Sequence, residues 1–193
     1  MIDRKAFFDG VRPDLFGGTL TQDQVRGTEA ILDEWEARKL TDLRWLAYML
    51  ATTYHETNKT MQPVREAYWL SEDWRRRNLR YYPWYGRGYV QLTWERNYQE
   101  MGRLLGVDLL GNLDLAMDPH IAAAIMFEGM TMAESSFGDF TGKCLEMYFT
   151  DTVDDPVGAR QIINGTDKAD LIASYHRDFL KDLRNASSCG KAA

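Results

Sequence analysis

The stretch Asp118-Pro119 followed by Ile121, Ala123, Ile125, Met126, Phe127 and Met130 most restricts how this chain can fold. An aspartate caps the free N–H groups of a first helical turn, and a proline just inside has no N–H to leave unpaired. The helix they start is apolar on nearly every face, so it cannot lie on a surface and must be wrapped by other elements. The candidates for that wrapping are helical too. Thr21-x-x-Gln24 reads as a capping box ahead of Val25, Ile31, Leu32 and Trp35. From near Thr41, Leu43, Leu46, Ala47 and Leu50 recur at helical spacing, with Trp45, Met49, Thr52 and Glu56 as a neighbouring stripe. Ser71 can cap a short helix over Glu72 to Arg80, and a last helix is predicted from about Asp167 towards Leu183. One short strand is predicted, at Tyr89 to Thr93. The expected class is mainly α, with residues 1–184 as a single domain and 185–193 as a disordered tail.

With 193 residues the chain can bury a sizeable core in one domain. Its 45% hydrophobic and 27% charged residues are values of a soluble globular protein. A formal net charge of −6 denies it the basic field of a nucleic-acid binder. The longest apolar run, Ile121 to Phe127, is far short of the ~20 residues that cross a bilayer. Met1 to Asp9 lacks a secretory apolar stretch, so synthesis in the cytoplasm is expected. Cys144 and Cys189 make neither a disulfide framework nor a metal spacing. His55-Glu56-Thr57-Asn58-Lys59 begins like a zinc-protease motif, but lysine stands where the second histidine belongs, so no metal is expected. Gly86-Arg87-Gly88 lacks the third glycine and the βαβ setting of a dinucleotide loop.

A pair of carboxylates remains. Glu56 ends an apolar-walled helix, where desolvation favours a retained proton; Glu66 follows a proline-containing loop, where water favours the ionised form. Two carboxyls in opposed surroundings are what glycoside hydrolysis needs. On pattern alone the same pair also fits a network cap and a solvated surface charge. Downstream lies the densest aromatic cluster, Tyr81, Tyr82, Trp84, Tyr85 and Tyr89, with Gln91, Thr93 and Asn97 as hydrogen-bonding groups. Sugars offer flat apolar faces and rings of hydroxyls, which such a mixture suits, although many of these rings also fit a core. Arg75-Arg76-Arg77-Asn78-Leu79-Arg80 reads as a solvated helix face, or as a patch drawn to an anionic bacterial surface.

His55-Glu56-Thr57, then Tyr85-Gly86-Arg87-Gly88-Tyr89-Val90-Gln91-Leu92-Thr93-Trp94, then Asn97-Tyr98, then Ile162-Ile163-Asn164-Gly165 resemble, in order, glycoside hydrolase family 19. This is the family of plant-type chitinases and many phage endolysins, and the resemblance spans roughly residues 40 to 180. It implies a lysozyme-like, two-lobed helical fold with a substrate cleft, inversion at the anomeric carbon, and no cofactor. By position, Glu56 resembles the general acid and Glu66 the general base. Thr93 resembles the hydroxyl that helps hold the attacking water. Tyr85, Gln91, Asn97 and Asn164 resemble groups that bind the sugar chain. Glu72 is the poorer candidate for the base because it sits at a helix start. An inverting pair is expected ~6.5–9.5 Å apart.

The departures from plant members are informative. Their disulfides cannot form here, the connection between the two glutamates is short, and the first ~40 residues match poorly. The plant cleft arginine falls on Leu171, with Lys168 or Arg177 as substitutes. These differences shift the expected substrate from chitin towards bacterial peptidoglycan. The expected protein is a monomeric endolysin of muramidase (lysozyme) type, released to the wall by a separate membrane-permeabilising protein. The alternatives are a chitinase and a non-catalytic wall-binding or virion protein.

Overall fold

The computed structural model describes residues 1–131 and 140–189, with side chains as far as Ser187. The fold is mainly helical. The long helices are α1 (Arg4–Leu15), α2 (Gln22–Ala37), α3 (Leu43–Glu56), α4 (Glu72–Asn78), α5 (Glu95–Leu105), α6 (Pro119–Met130) and α7 (Ala169–Cys189). Two short strands, β1 (Val64–Arg65) and β2 (Arg87–Gly88), pair antiparallel with Val64 opposite Gly88. No helix among the described residues is long and apolar enough to cross a membrane.

The expected start signals operate. Thr21 and Gln24 exchange hydrogen bonds as a capping box, Ser71 accepts from Trp74 N, and Asp118 accepts from the amides of His120 and Ile121. α6 is buried along its length, as its composition requires, yet α3 is enclosed at least as fully. Every residue from Leu46 to Tyr54 is buried. α7 packs along α3 and α1, α2 packs on α6, and Thr53 of α3 reaches Met126 of α6. Each large apolar side chain buried in this way contributes about 1.5–3 kcal/mol. The two stripes read on α3 are therefore two faces of a helix that has partners all round.

Two expectations are corrected. α7 continues through Cys189, so residues 185–189 are helix and not a loose tail. Ala186 is buried, its carbonyl accepts from Asp3 N, and Ser187 Oγ caps back onto the Leu183 carbonyl. The rest of the predicted tail, 190–193, lies outside the described residues. The strand expected at Tyr89 to Thr93 is instead a tight reversal. Gly88 (φ 89°) and Gln91 (φ 56°) turn the chain, and Arg87 and Leu92 exchange backbone hydrogen bonds across it. Pairing falls one step earlier, at Arg87–Gly88.

Candidate active site

Glu56 is the last residue of α3. The helix stops there because Thr57 folds its hydroxyl back onto the Thr53 carbonyl and accepts from Met61 N, while Asn58 and Lys59 take left-handed φ values. The Glu56 side chain is 18% exposed. Its Oε1 lies 2.8 Å from Arg160 Nη1, but neither atom has a well-angled hydrogen-bond partner, so the attraction is Coulombic. Arg160 is 1% exposed and belongs to a 3-10 helix, Gly158–Ile162, that Asp155 caps through Gly158 N. Its Nε donates to the Asp167 carbonyl. Burial lowers the pKa of the adjacent His55, against the pull of the Glu56 charge and with help from that of Arg160. Leu171, where the plant arginine falls, is an exposed apolar residue, and the cation beside Glu56 is Arg160.

Glu66 follows β1 directly. Its amide donates to the Gly86 carbonyl (2.7 Å), and Gly86 N returns a hydrogen bond to Oε2 (3.0 Å). Tyr81 Oη donates to Oε1 at 2.6 Å. Burial, reinforced by this bond, pushes the Tyr81 phenol up to about 12, so it stays a donor. One oxygen is thus held by backbone and the other by a phenol, with lone pairs left over on both. Glu72 is placed differently. It starts α4 and accepts from Arg75 Nε and Tyr85 Oη, both at 3.0 Å. Burial works against its charge, but those two bonds win and hold its carboxyl below the usual range. It serves as a counterion within a structural network.

Two buried arginines shape the chain around Glu66. Arg75, 7% exposed, donates through Nη1 to the carbonyls of Ala67 and Leu70 at 2.8 Å and reaches the Glu66 carbonyl at 3.4 Å. It therefore belongs neither to a solvated face nor to a surface patch; Arg76, Arg77 and Arg80 remain exposed. Arg87, 4% exposed, donates to the carbonyls of Pro83 and Tyr85 and to Asp114. Both guanidinium groups lie near the Tyr85 ring, Arg87 at 3.8 Å and Arg75 at 5.3 Å. Tyr85 is 1% exposed in consequence. The platform expected of it is a buried structural ring.

Gln91, Thr93 and Asn97 do come together. With Val90, Leu92, Trp94, Phe140, Thr141 and Ile163 they line a pocket of about 230 Å³. Thr93 Oγ1 donates to the Gln91 carbonyl (2.7 Å), and Asn97 Nδ2 to the Thr93 carbonyl (2.8 Å). Gln91 Nε2 donates to the Val64 carbonyl (3.0 Å), which ties the reversal to β1. Asn164 is exposed, next in sequence to Ile163, and its amide donates to the Arg160 carbonyl. Neither glutamate lines this pocket. The sequence reading passed over the exposed aromatics. Trp94 (44% exposed) rests edge-on to Tyr81 at 4.9 Å, while Tyr68 and Trp69 form a second pair beyond Glu66.

Residues 47–138 match the family model described as chitinase class I, of glycoside hydrolase family 19. Over 40 residues the chain is 58% identical to an endochitinase of Theobroma cacao, and over 47 residues 47% identical to an inactive chitinase-like protein of Hevea brasiliensis. These matches cover 20% and 23% of this chain but only 12% and 15% of the relatives' own length. In fold, the chain resembles the crystal structure of a mutant of chitinase C. The TM-score is 0.51 at 20% identity, over 96% of this chain and 92% of that one. Over residues 47–138 the chain is thus similar to glycoside hydrolase family 19, and in fold it is chitinase-like.

Proposed function

We propose that the protein hydrolyses β-1,4 bonds between N-acetylated sugars with inversion, and that its natural polymer is peptidoglycan. The observation that carries this reading is the unequal mounting of the two glutamates. Glu56 sits at a helix end against one buried cation, and Glu66 sits beside a strand pair with a hydrogen-bond donor on each oxygen. Glu56 donates its proton to the leaving glycosidic oxygen, and Arg160 stabilises the carboxylate left behind. Glu66 accepts a proton from a water on the opposite face of the sugar, and that water attacks the anomeric carbon. Thr93 has spent its own hydrogen on the Gln91 carbonyl, so towards that water it is an acceptor. A water donating to both Glu66 and Thr93 keeps a lone pair aimed at the carbon. Asn97, Asn164 and the edge of Gln91 are assigned to sugar hydroxyl and amide groups.

The short connection between the glutamates supports peptidoglycan and an endolysin of muramidase type, acting as a monomer on the wall once the membrane is breached. Chitin is the second reading, favoured by the names of several relatives, endochitinases and a chitinase, although another is named an inactive chitinase-like protein. Mass spectrometry of products from chemically reduced peptidoglycan separates the two. New reducing ends on N-acetylmuramic acid are the expected result. Cleavage of chitin oligomers alone moves the substrate to chitin, and no product from either removes the hydrolase reading.

A further inference from the structure

Exposed tryptophan is costly, and this chain exposes it beside Glu66 on a loop that is tightly held. Trp69 is 72% and Tyr68 53% exposed, with ring centroids 5.2 Å apart and planes at 83°. The backbone that carries them is clamped from below. Ala67 takes a left-handed φ of 49°, which turns the chain sharply outward after Glu66. Leu70 N closes the turn onto the Ala67 carbonyl, and buried Arg75 binds the carbonyls on both sides of the two rings, at Ala67 and Leu70. A loop with no task for these rings could fold them onto the core. This one spends a buried guanidinium on holding their backbone turned outward.

We infer that Tyr68 and Trp69 form a sugar-binding platform for a polymer strand that runs beyond the bond being cut. Trp69 is three residues from Glu66, so their Cα atoms are at most about 11 Å apart. A glycan held for cleavage at Glu66 therefore reaches the platform with its next residues. Two rings set edge to face offer the apolar face of a sugar one flat wall and one corner, while the phenol of Tyr68 remains free to meet a hydroxyl. The pair lies outside the Gln91–Thr93–Asn97 pocket. It adds a binding position on the far side of Glu66 and favours long chains over short ones. This inference rests on the glycosidase reading above.

The test is calorimetric titration of the soluble hexamer of β-1,4 N-acetylglucosamine into the catalytically silenced E66Q protein, compared with E66Q/W69A and E66Q/Y68A, alongside wild-type turnover of the same sugar. Both rings are exposed, so the added substitutions should leave the melting temperature unchanged. The expected result is at least tenfold weaker binding for W69A and a smaller loss for Y68A. Affinities within twofold of E66Q, with wild type still hydrolysing the hexamer, overturn the platform and leave the glycosidase reading standing. A wild type that neither binds nor cuts any glycan overturns both. Self-association that W69A abolishes, with hexamer binding intact, assigns the rings to a second copy of the chain and also overturns the platform.

Discussion

The helical body and the irregular stretch from Thr57 to Trp94 are held together by different means. In the body, α1, α2, α3, α6 and α7 satisfy their own backbones, side chains supply apolar contact, and caps finish the ends. In the irregular stretch side chains do the backbone's work. Arg75 and Arg87 bind five carbonyls between them, Gln91 holds two more, and Glu66 takes an amide. Strain gathers there as well. Of the eight non-glycine residues with positive φ among the described residues, six lie between Asn58 and Trp94. Conformations of that kind persist only where the surroundings fix them, and they concentrate at working sites. The body supplies stability and one carboxylate at a helix end; the stretch supplies geometry and the other.

That division predicts substitutions that cost activity and others that cost only stability. The largest effect belongs to Glu66→Gln. Turnover should fall by ~10²–10⁴, the scale of a lost acid or base, with an unchanged circular-dichroism melt, whereas Glu72→Gln should stay active. A dead Glu72→Gln beside an active Glu66→Gln would reverse the assignment of the base. Glu56→Gln should lose a similar amount and also melt earlier, because Arg160 is left without its counterion. Next is Arg160→Leu, which crosses the division. Breaking a buried pair costs about 3 kcal/mol in urea unfolding, and kcat should fall with it. Stability lost with kcat intact would make the pair purely structural.

The third test probes the body alone, through pH. His176 is 2% exposed, stacked on Phe149 and near Tyr48, and burial lowers its pKa to about 4. Asp154 opposes that shift, while Arg177 and Arg184 add to it. In the unfolded chain the ring titrates near 6.5. Between those values the unfolded state holds the extra proton. Its contribution is therefore complete above pH ~6.5 and drains away as pH falls towards 4, by roughly 3 kcal/mol. The difference between wild type and His176→Phe in urea unfolding at pH 7 and pH 4.5 isolates it; parallel curves would refute the neutral buried ring. The smallest effect is Thr21→Ala, about 1 kcal/mol for a lost cap, read as a lower melting temperature with kcat and KM unchanged.

What could be read from the sequence divides along the same line. Local signals came through, because a cap and its helix lie within a few residues of each other. Thr21 with Gln24, Ser71, Asp118-Pro119 and the placing of Glu56 at a helix end are of this kind. Contacts made across long separations did not. Nothing near Arg160 in the sequence announces Glu56, and the arginine run around Arg75 has the composition of a solvated face. Tyr85 looks like any other tyrosine of its cluster until two guanidinium groups close on it. The reversal after Gly88 has the composition of a strand, since Tyr89, Val90 and Leu92 have strand-forming side chains. Their backbone is turned by Gly88 and Gln91, whose φ values no composition reveals.

The exchange between Glu66 and Gly86 has a further consequence. The chain leaves β1 at Glu66 and comes home to β2 just after Gly86, so the carboxylate is fixed where the excursion begins and ends. Whatever lies between is a detour with a locked gate. It can lengthen, shorten or exchange its aromatic cargo while the two gateposts keep their spacing. On the proposed reading, variation in how much of a polymer is grasped is thereby uncoupled from the position of the group assigned to handle water.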